Sequence, residues 1–465
     1  MRISAGSILG LAMLSGLLSG AASAQDAMPS ADQPLLHHIA AGVSPDALHD
    51  TIARLVAFGT RHTLSETVSN SRGIGAARRW VKSQFSQINL RCNGCLQVET
   101  PSRSVTGERV PKPTIVMDVL AIQRGTSDPD RIIVISGHLD SRVTDVMNAT
   151  SDAPGADDDG SGTAAVLEAA RVLSRHRFPA TLVYAVLSGE EQGLYGGKIL
   201  AQYARDQHWQ VEAALNNDIV GNTHGQSGVV DDAHIRLFSE GTRSVETPEQ
   251  ATRRRYNGGE VDSPSRNLAR FVSGLADRYL SSFSVRMIYR TDRFSRGGDQ
   301  VPMLEAGYPA VRFTEAAENY TREHQDLRTE NGIRYGDVIE AIDFPYLAQV
   351  TRLNAVAMAA LASAPAPPET VKIEGAVSAD TTVSWTTAAG ATGYRIWWRD
   401  TTAPNWTNSQ LVGATNNLVL KGVNIDDWFF GVASVSADGY ESPVEFPGPA
   451  GAFVNPPLPT PSTIH

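Results

Sequence analysis

The stretch SGEEQGLYG (residues 188–196) sets two carboxylates, Glu190 and Glu191, side by side directly after ATLVYAVL, a run whose β-branched and aromatic residues read as a buried strand. Adjacent carboxylates repel, and neighbouring side chains on a strand face opposite ways, so both reach one place only if the chain turns there. A cation with a water to activate is one use for such a pair, and a solvated loop is the other; taken alone, the pair fits both. Four further stretches narrow the choice. GHLDS places His138 and Asp140 after RIIVIS, and PGADDDGSG places Asp157, Asp158 and Asp159 ahead of a helical pattern. The calcium-loop register fails in PGADDDGSG, because Gly155 would take its first ligand position and Val166 its last. Asp159 or Ser161 suffices to cap the helix, which leaves at least one aspartate for other work. VEAALNND ends on Asp218, and AVRFTE leads into a segment carrying His324. His138, the aspartate cluster, the glutamate pair, Asp218 and His324 offer nitrogen and oxygen donors without thiolate, a set that suits zinc, with manganese or cobalt as substitutes.

Residues so far apart in sequence converge only if one scaffold gathers the ends of several strands. TIVMDVLAI, RIIVISG, ATLVYAVLS, VEAALNND and AVRFTE read as strands, and GTAAVLEAARVLSRH, GLYGGKILAQYARDQ and SRNLARFVSGLADRYLSSF as helices. The expected fold is α/β, with a mostly parallel central sheet flanked by helices, over residues 25–362. In such sheets a site forms just beyond the carboxyl ends of the strands, which is where every candidate falls.

The chain has 465 residues, 42% hydrophobic and 19% charged, enough for two or three globular domains. Arg2, a short Gly/Ser-rich apolar run and the A-x-A site at residues 22–24 read as a signal peptide over residues 1–24, so the protein is expected to be secreted or periplasmic. No later segment approaches the roughly twenty apolar residues that span a bilayer. The two cysteines, Cys92 and Cys95 in RCNGC, are expected to form a small disulfide in an oxidising compartment. A net charge of -10 argues against a nucleic-acid partner. Residues 363–369 (SAPAPPE) read as a Pro/Ala linker, residues 370–450 as a small antiparallel sandwich and residues 451–465 as a disordered tail. The sandwich rests on the alternation of Val383 and Trp385, on that of Tyr394, Ile396 and Trp398, and on WFFGVASVSADGYES. These segments resemble a fibronectin type III domain, which implies binding to a surface, polysaccharide or protein rather than chemistry.

GHLDS, PGADDDGSG, SGEEQGLYG, NNDIVGN and EHQDLR, in that order over roughly residues 45–362, resemble the secreted dizinc (co-catalytic zinc) aminopeptidase family. The resemblance implies two Zn2+, bridged by Asp158, with His138 and Asp218 completing one ion and Glu191 and His324 the other. It makes Glu190 the general base that takes a proton from a metal-bridging water, and gives Asp140 the task of holding the other ring nitrogen of His138. The glutamate pair thereby divides its labour, since a carboxylate bound to zinc loses basicity.

The chain departs from the family near the reacting carbonyl. Better-known members place a tyrosine or histidine there, where this sequence has Ser295, Arg296, Asp299 and Gln300; Asp299 and Gln300 are expected to meet the substrate, with Gln300 a candidate donor to the oxyanion. The implied activity is an exported zinc exopeptidase acting on the amino-terminal residues of peptides. A carboxypeptidase or dipeptidase of the same fold and a non-catalytic binding protein are the alternatives.

Overall fold

The computed structural model describes residues 32–453; the expected signal peptide and residues 454–465 lie outside them. In chain order the strands of the first domain are β1 (Leu96–Glu99), β2 (Ser102–Gly107), β3 (Val110–Met117), β4 (Val119–Gln123), β5 (Asp128–His138), β6 (Ala180–Leu187), β7 (Gln210–Asn217), β8 (His234–Phe238), β9 (Ser284–Ile288), β10 (Ala310–Glu315), β11 (Arg328–Glu330) and β12 (Ile333–Tyr335). Its helices are α1 (Pro34–Ala41), α2 (Pro45–Val56), α3 (Gly73–Arg91), α4 (Gly160–Leu173), α5 (Tyr195–Asp206), α6 (Pro248–Asn257), α7 (Pro264–Tyr279), α8 (Gln300–Glu305) and α9 (Phe344–Ser363). Eight strands make one sheet in the order β1-β4-β6-β5-β7-β10-β8-β9, parallel through β6, β5, β7 and β10. Those central strands are covered on both faces, which is why they read as unbroken apolar runs rather than alternating ones. The order in which they lie brings the carboxyl ends of β5, β6, β7 and β10 to one edge.

Close backbone contact fixes that edge. A Cβ on Gly137 at the end of β5 would meet the Gly162 carbonyl carbon at 2.6 Å, and one on Gly162 would meet Asn217 O at 2.3 Å, so α4 starts in direct contact with β5 and β7. Cys92 and Cys95 form a close pair joined as a disulfide, their Cα atoms 5.5 Å apart. No helix among the described residues is long and apolar enough to cross a membrane.

TIVMDVLAI, expected as one strand, is two. Asp118 separates β3 from β4, sending its amide to Pro101 O and accepting the Ser188 amide at 3.0 Å on a fully buried carboxylate. The second domain has strands β13 (Val371–Glu374), β14 (Thr381–Trp385), β15 (Gly393–Asp400), β16 (Asn408–Val412), β17 (Asn417–Leu420) and β18 (Trp428–Val435), forming two antiparallel three-stranded sheets, β13-β14-β17 and β16-β15-β18. They close on Val383, Trp385, Tyr394, Ile396, Phe430 and Val432.

Residues 363–369 do not behave as a free linker, since Pro367 and Pro368 are buried and Ala364 O accepts from Arg131 Nη2 at 2.6 Å. The two domains are joined over a polar interface. Asp262 is fully buried and accepts from Arg270 of α7 at 2.7 Å and from Arg399 of β15 at 2.9 Å. Trp406 Nε1 donates to Asn267 Oδ1 at 3.2 Å, Arg270 Nε to Pro404 O at 2.7 Å and Gln33 Nε2 to Asp438 O at 2.8 Å. The packed chain also extends past the expected domain end at residue 450, because Phe453 is buried and its amide donates to Glu445 Oε2 at 3.0 Å.

Candidate metal and catalytic site

At the shared strand edge Asp158 stands between two imidazoles. Its Oδ1 lies 3.2 Å from His138 Nε2 and its Oδ2 2.9 Å from His324 Nε2. Asp218 Oδ1 approaches His138 Nε2 at 3.9 Å, and Glu191 Oε1 approaches His324 Nε2 at 3.0 Å. Two groups result, His138 with Asp158 and Asp218, and Asp158 with Glu191 and His324; within each, the ligand atoms all lie within 4.8 Å of one another. Each strand end supplies its share. His138 closes β5, Asp218 follows β7, Glu191 follows β6 and His324 lies nine residues beyond β10. Ile219 and His324 hold left-handed backbone, at φ +62° and +52°. For a β-branched residue such as Ile219 that conformation costs roughly 1–3 kcal/mol, and the Glu315 amide and Thr314 hydroxyl hold it in place by donating to Ile219 O at 2.8 and 3.2 Å.

The pocket favours positive charge. Burial opposes protonation of His138, yet Asp159, Asp140, Asp158 and Asp218 hold it well above its ordinary value. Burial likewise opposes His324, which Glu191 and Asp158 raise to about 10. Asp158 goes the other way: the two rings pull it well below the carboxylate range against the effect of burial. Arg312, fully buried in β10, pairs with Asp218 Oδ2 at 2.9 Å and, together with His138, keeps that carboxyl at about 2 despite burial. Glu191 Oε1 is buried and has no hydrogen-bond partner, for its 3.0 Å approach to His324 lacks hydrogen-bond geometry. An orphaned carboxylate oxygen facing the His324 imidazole, in a set of hard oxygen and imidazole donors, fits a divalent cation of the zinc type.

Glu190 stands apart from the ligands. It is half-buried, and among the described residues no hydrogen bond or ion pair engages its carboxylate. Burial, with Glu191, Asp218 and Asp299 adding to it and His138 opposing, pushes Glu190 well above the ordinary carboxyl range. That is the state of a group ready to take a proton.

Asp140 does not play the part expected of it. Its carboxylate oxygen is 3.7 Å from His138 Nδ1, too far for a hydrogen bond, whereas its backbone carbonyl is at 3.0 Å and fixes the ring tautomer instead. The carboxylate faces the glutamate turn: Oδ1 accepts the amides of Gly189 and Glu190 at 2.8 and 3.3 Å, and Oδ2 accepts that of Glu191 at 3.2 Å and the Thr63 hydroxyl at 2.8 Å. Asp140 is therefore what bends the chain so that both glutamates face the site. Asp159 caps α4 through the Gly162 amide and also accepts from His138 N at 2.8 Å.

Asp299 and Gln300 are not where a substrate would meet them. Asp299 is 2% exposed and accepts from Gly197 N at 2.9 Å, and burial raises it to about 7. Gln300 is 1% exposed and donates to Thr291 O at 3.2 Å and Asp292 Oδ2 at 2.5 Å, so its amide is spent inside the fold. Arg296 is held by Glu318 at 3.2 Å and Glu323 at 2.9 Å.

Four residues that build the site drew no attention in the sequence. Fully buried Arg61 donates to Leu139 O, Pro154 O and Gly155 O, tying the GHLDS loop to the aspartate loop. Asp337 accepts the amides of Asp157 and Asp158, the latter at 2.8 Å, and so aims Asp158. Arg142 donates to Glu191 Oε2 at 2.8 Å, and Arg312 is described above. Only Arg312 left a trace, as a cation set between the apolar residues of AVRF.

The family model described as Peptidase family M28 matches residues 118–343. A probable zinc metalloprotease of Pyrenophora teres f. teres (strain 0-1) is 44% identical over 415 residues, covering 88% of this chain and 86% of its own. One of Pyricularia oryzae is 41% identical, covering 88% and 83%. Matches of that extent cannot fit within residues 1–362 and therefore continue into the second domain. The solved structure of the Legionella pneumophila LapA aminopeptidase is 17% identical with a TM-score of 0.52, covering 78% of this chain and 80% of that one, a likeness of fold.

Proposed function

The chain belongs to peptidase family M28, with zinc metalloproteases as its relatives, and on that premise we propose that it is an exported exopeptidase that removes amino-terminal residues from peptides and holds two zinc ions. The observation that carries this reading is the pairing of two ligand groups that share Asp158 with a carboxylate, Glu190, that is beside them and unengaged. His138, Asp158 and Asp218 would hold one ion; Asp158, Glu191 and His324 would hold the other. Zinc bound there supplies a Lewis acid that polarises a peptide carbonyl and makes water a better nucleophile.

The chain's own groups do the rest. Glu190 takes a proton from the water as its oxygen bonds to the carbonyl carbon, and returns that proton to the departing amine nitrogen as the C–N bond breaks. Asp140 keeps Glu190 and Glu191 on the same side of the turn, and Asp337 and Arg61 hold the loop of Asp158. Arg142 and Arg312 each bond the outer oxygen of one terminal carboxylate, leaving its other oxygen to face the imidazole.

The direction of attack is tested by incubating a mixed peptide pool with the pure protein, with and without a chelator, and reading by mass spectrometry which end shortens. Stepwise loss from free amino termini, stopped by chelation and restored by zinc, is the expected result. Loss from the carboxyl end would assign a carboxypeptidase, and no shortening by a zinc-loaded protein would overturn the enzymatic reading.

A further inference from the structure

We propose that the junction of the two domains carries a binding groove for a neutral saccharide, separate from the metal site. The groove has a volume of about 360 Å³ and runs between α7 and the residues around β15 and 441–444, within the roughly 300–1,000 Å³ typical of ligand sites. It lies where Asp262 with its two arginines and the Trp406–Asn267 and Arg270–Pro404 hydrogen bonds join the domains, so it is formed before any ligand arrives.

Two indoles line it, and both are held in place. Trp397 Nε1 donates to Glu441 Oε1 at 2.7 Å and Trp406 Nε1 to Asn267 Oδ1 at 3.2 Å. Guanidinium groups lie over the rings, Arg395 at 5.6 Å from the Trp397 centroid, and Arg399 and Arg270 at 5.3 and 5.9 Å from that of Trp406. Their polar edges and these cationic neighbours are thus accounted for within the fold, and both rings remain half-buried where they line the groove. Around them Asp277, Arg278 and Asn405 are exposed and make no hydrogen bond or ion pair among the described residues.

The charges in the groove balance, Arg270 and Arg278 against Asp277 and Glu441. A balanced lining gives no pull on a polyanion, and the unspent groups include a pure acceptor, a pure donor and an amide that is both. A pyranose answers that lining: its C–H face packs on an aromatic ring while its hydroxyls donate to a carboxylate and accept from a guanidinium.

Gly274 adds an independent observation. It lies inside α7, where glycine costs roughly 1 kcal/mol relative to alanine, yet a Cβ there would meet nothing within 4 Å. The packing of the fold does not require it, and at this exposed position its effect is to leave that side of the groove open.

The test uses the full-length protein and a panel of neutral hexasaccharides built from β-1,4-linked glucose, N-acetylglucosamine, xylose or mannose, followed by calorimetry and tryptophan fluorescence. At least one sugar is expected to bind with a dissociation constant below about 1 mM. Gly274→Gln, which sets a side chain against the groove and favours the helix, and Trp397→Ala are each expected to weaken that binding at least about ten-fold, with peptide turnover unchanged. No binding across the panel, or binding that neither variant alters, would overturn the proposal. So would binding of a Pro-rich peptide copying residues 455–465 in place of every sugar.

Discussion

Asp140→Asn separates two roles that one aspartate could have. The carboxylate receives four donors, the amides of Gly189, Glu190 and Glu191 and the Thr63 hydroxyl. Asparagine keeps one acceptor oxygen and turns its NH2 toward the remaining donors, so two hydrogen bonds to a charged group are lost, together about 4 kcal/mol at roughly 1.5–3 kcal/mol each. Spread over a cooperative unit of about 420 residues, that lowers the melting temperature by about 4 °C. The backbone carbonyl of Asp140, which holds His138 Nδ1, is untouched. The variant should therefore keep a zinc equivalent at His138 and Asp218 while the position formed by Glu191 and His324 loses about 10–100-fold in affinity. Turnover should fall about 100-fold, the cost of a displacement near 1 Å in a catalytic group. Scanning calorimetry, zinc titration against a chelator and steady-state kinetics read the three effects. A variant that melts like the parent and loses zinc from the His138 position first would refute this account and restore the carboxylate to the imidazole.

Two further perturbations probe the fold around the site. Asp262→Ala leaves two arginines facing each other at the domain junction; removing one partner of a buried charge cluster costs about 3 kcal/mol or more, which calorimetry should report as a drop of about 3 °C in a single transition, and two separate transitions in the parent would show that the domains are not joined as described. Glu240, mostly buried, is held by burial at about 7 against an ordinary 4.5. Below pH 4.5 it is protonated whether folded or unfolded; as pH rises to 7 the unfolded chain gains by ionising and the fold does not, so stability declines through that window by about 3 kcal/mol. Glu240→Gln should flatten that decline in denaturant titrations between pH 5 and 8, and an unchanged slope would show that Glu240 ionises at its ordinary value.

Much of the fold was legible because the central strands are buried on both faces and read as unbroken apolar runs, and because glycines and acidic residues mark their ends. The convergence of His138, the aspartate cluster, the glutamate pair, Asp218 and His324 followed from one rule, that sites lie beyond the carboxyl ends of parallel strands, while the choice of Asp158 and Glu191 within their clusters was what the family resemblance implied. What stayed hidden depends on side-chain direction. The resemblance implied a contact between Asp140 and the His138 ring, but beyond the end of β5 the chain directs the carboxylate to the amides after β6. Gln300 resembled an exposed loop residue because Arg296, Gly297 and Gly298 precede it, yet it opens α8 and faces inward to Asp292. The Pro/Ala composition of residues 363–369 suggested a tether, and nothing in it reveals that Arg131, near the start of β5, donates to Ala364 O.

The most direct test of the central claim is Glu190→Gln, with zinc content measured by elemental analysis beside turnover on peptides with free amino termini. The account expects the variant to keep the parent's zinc, two ions per chain, and to lose about 100–10,000-fold in turnover, the contribution of a general base. Turnover that survives, or zinc that departs with the carboxylate, would contradict the division of labour between Glu190 and Glu191.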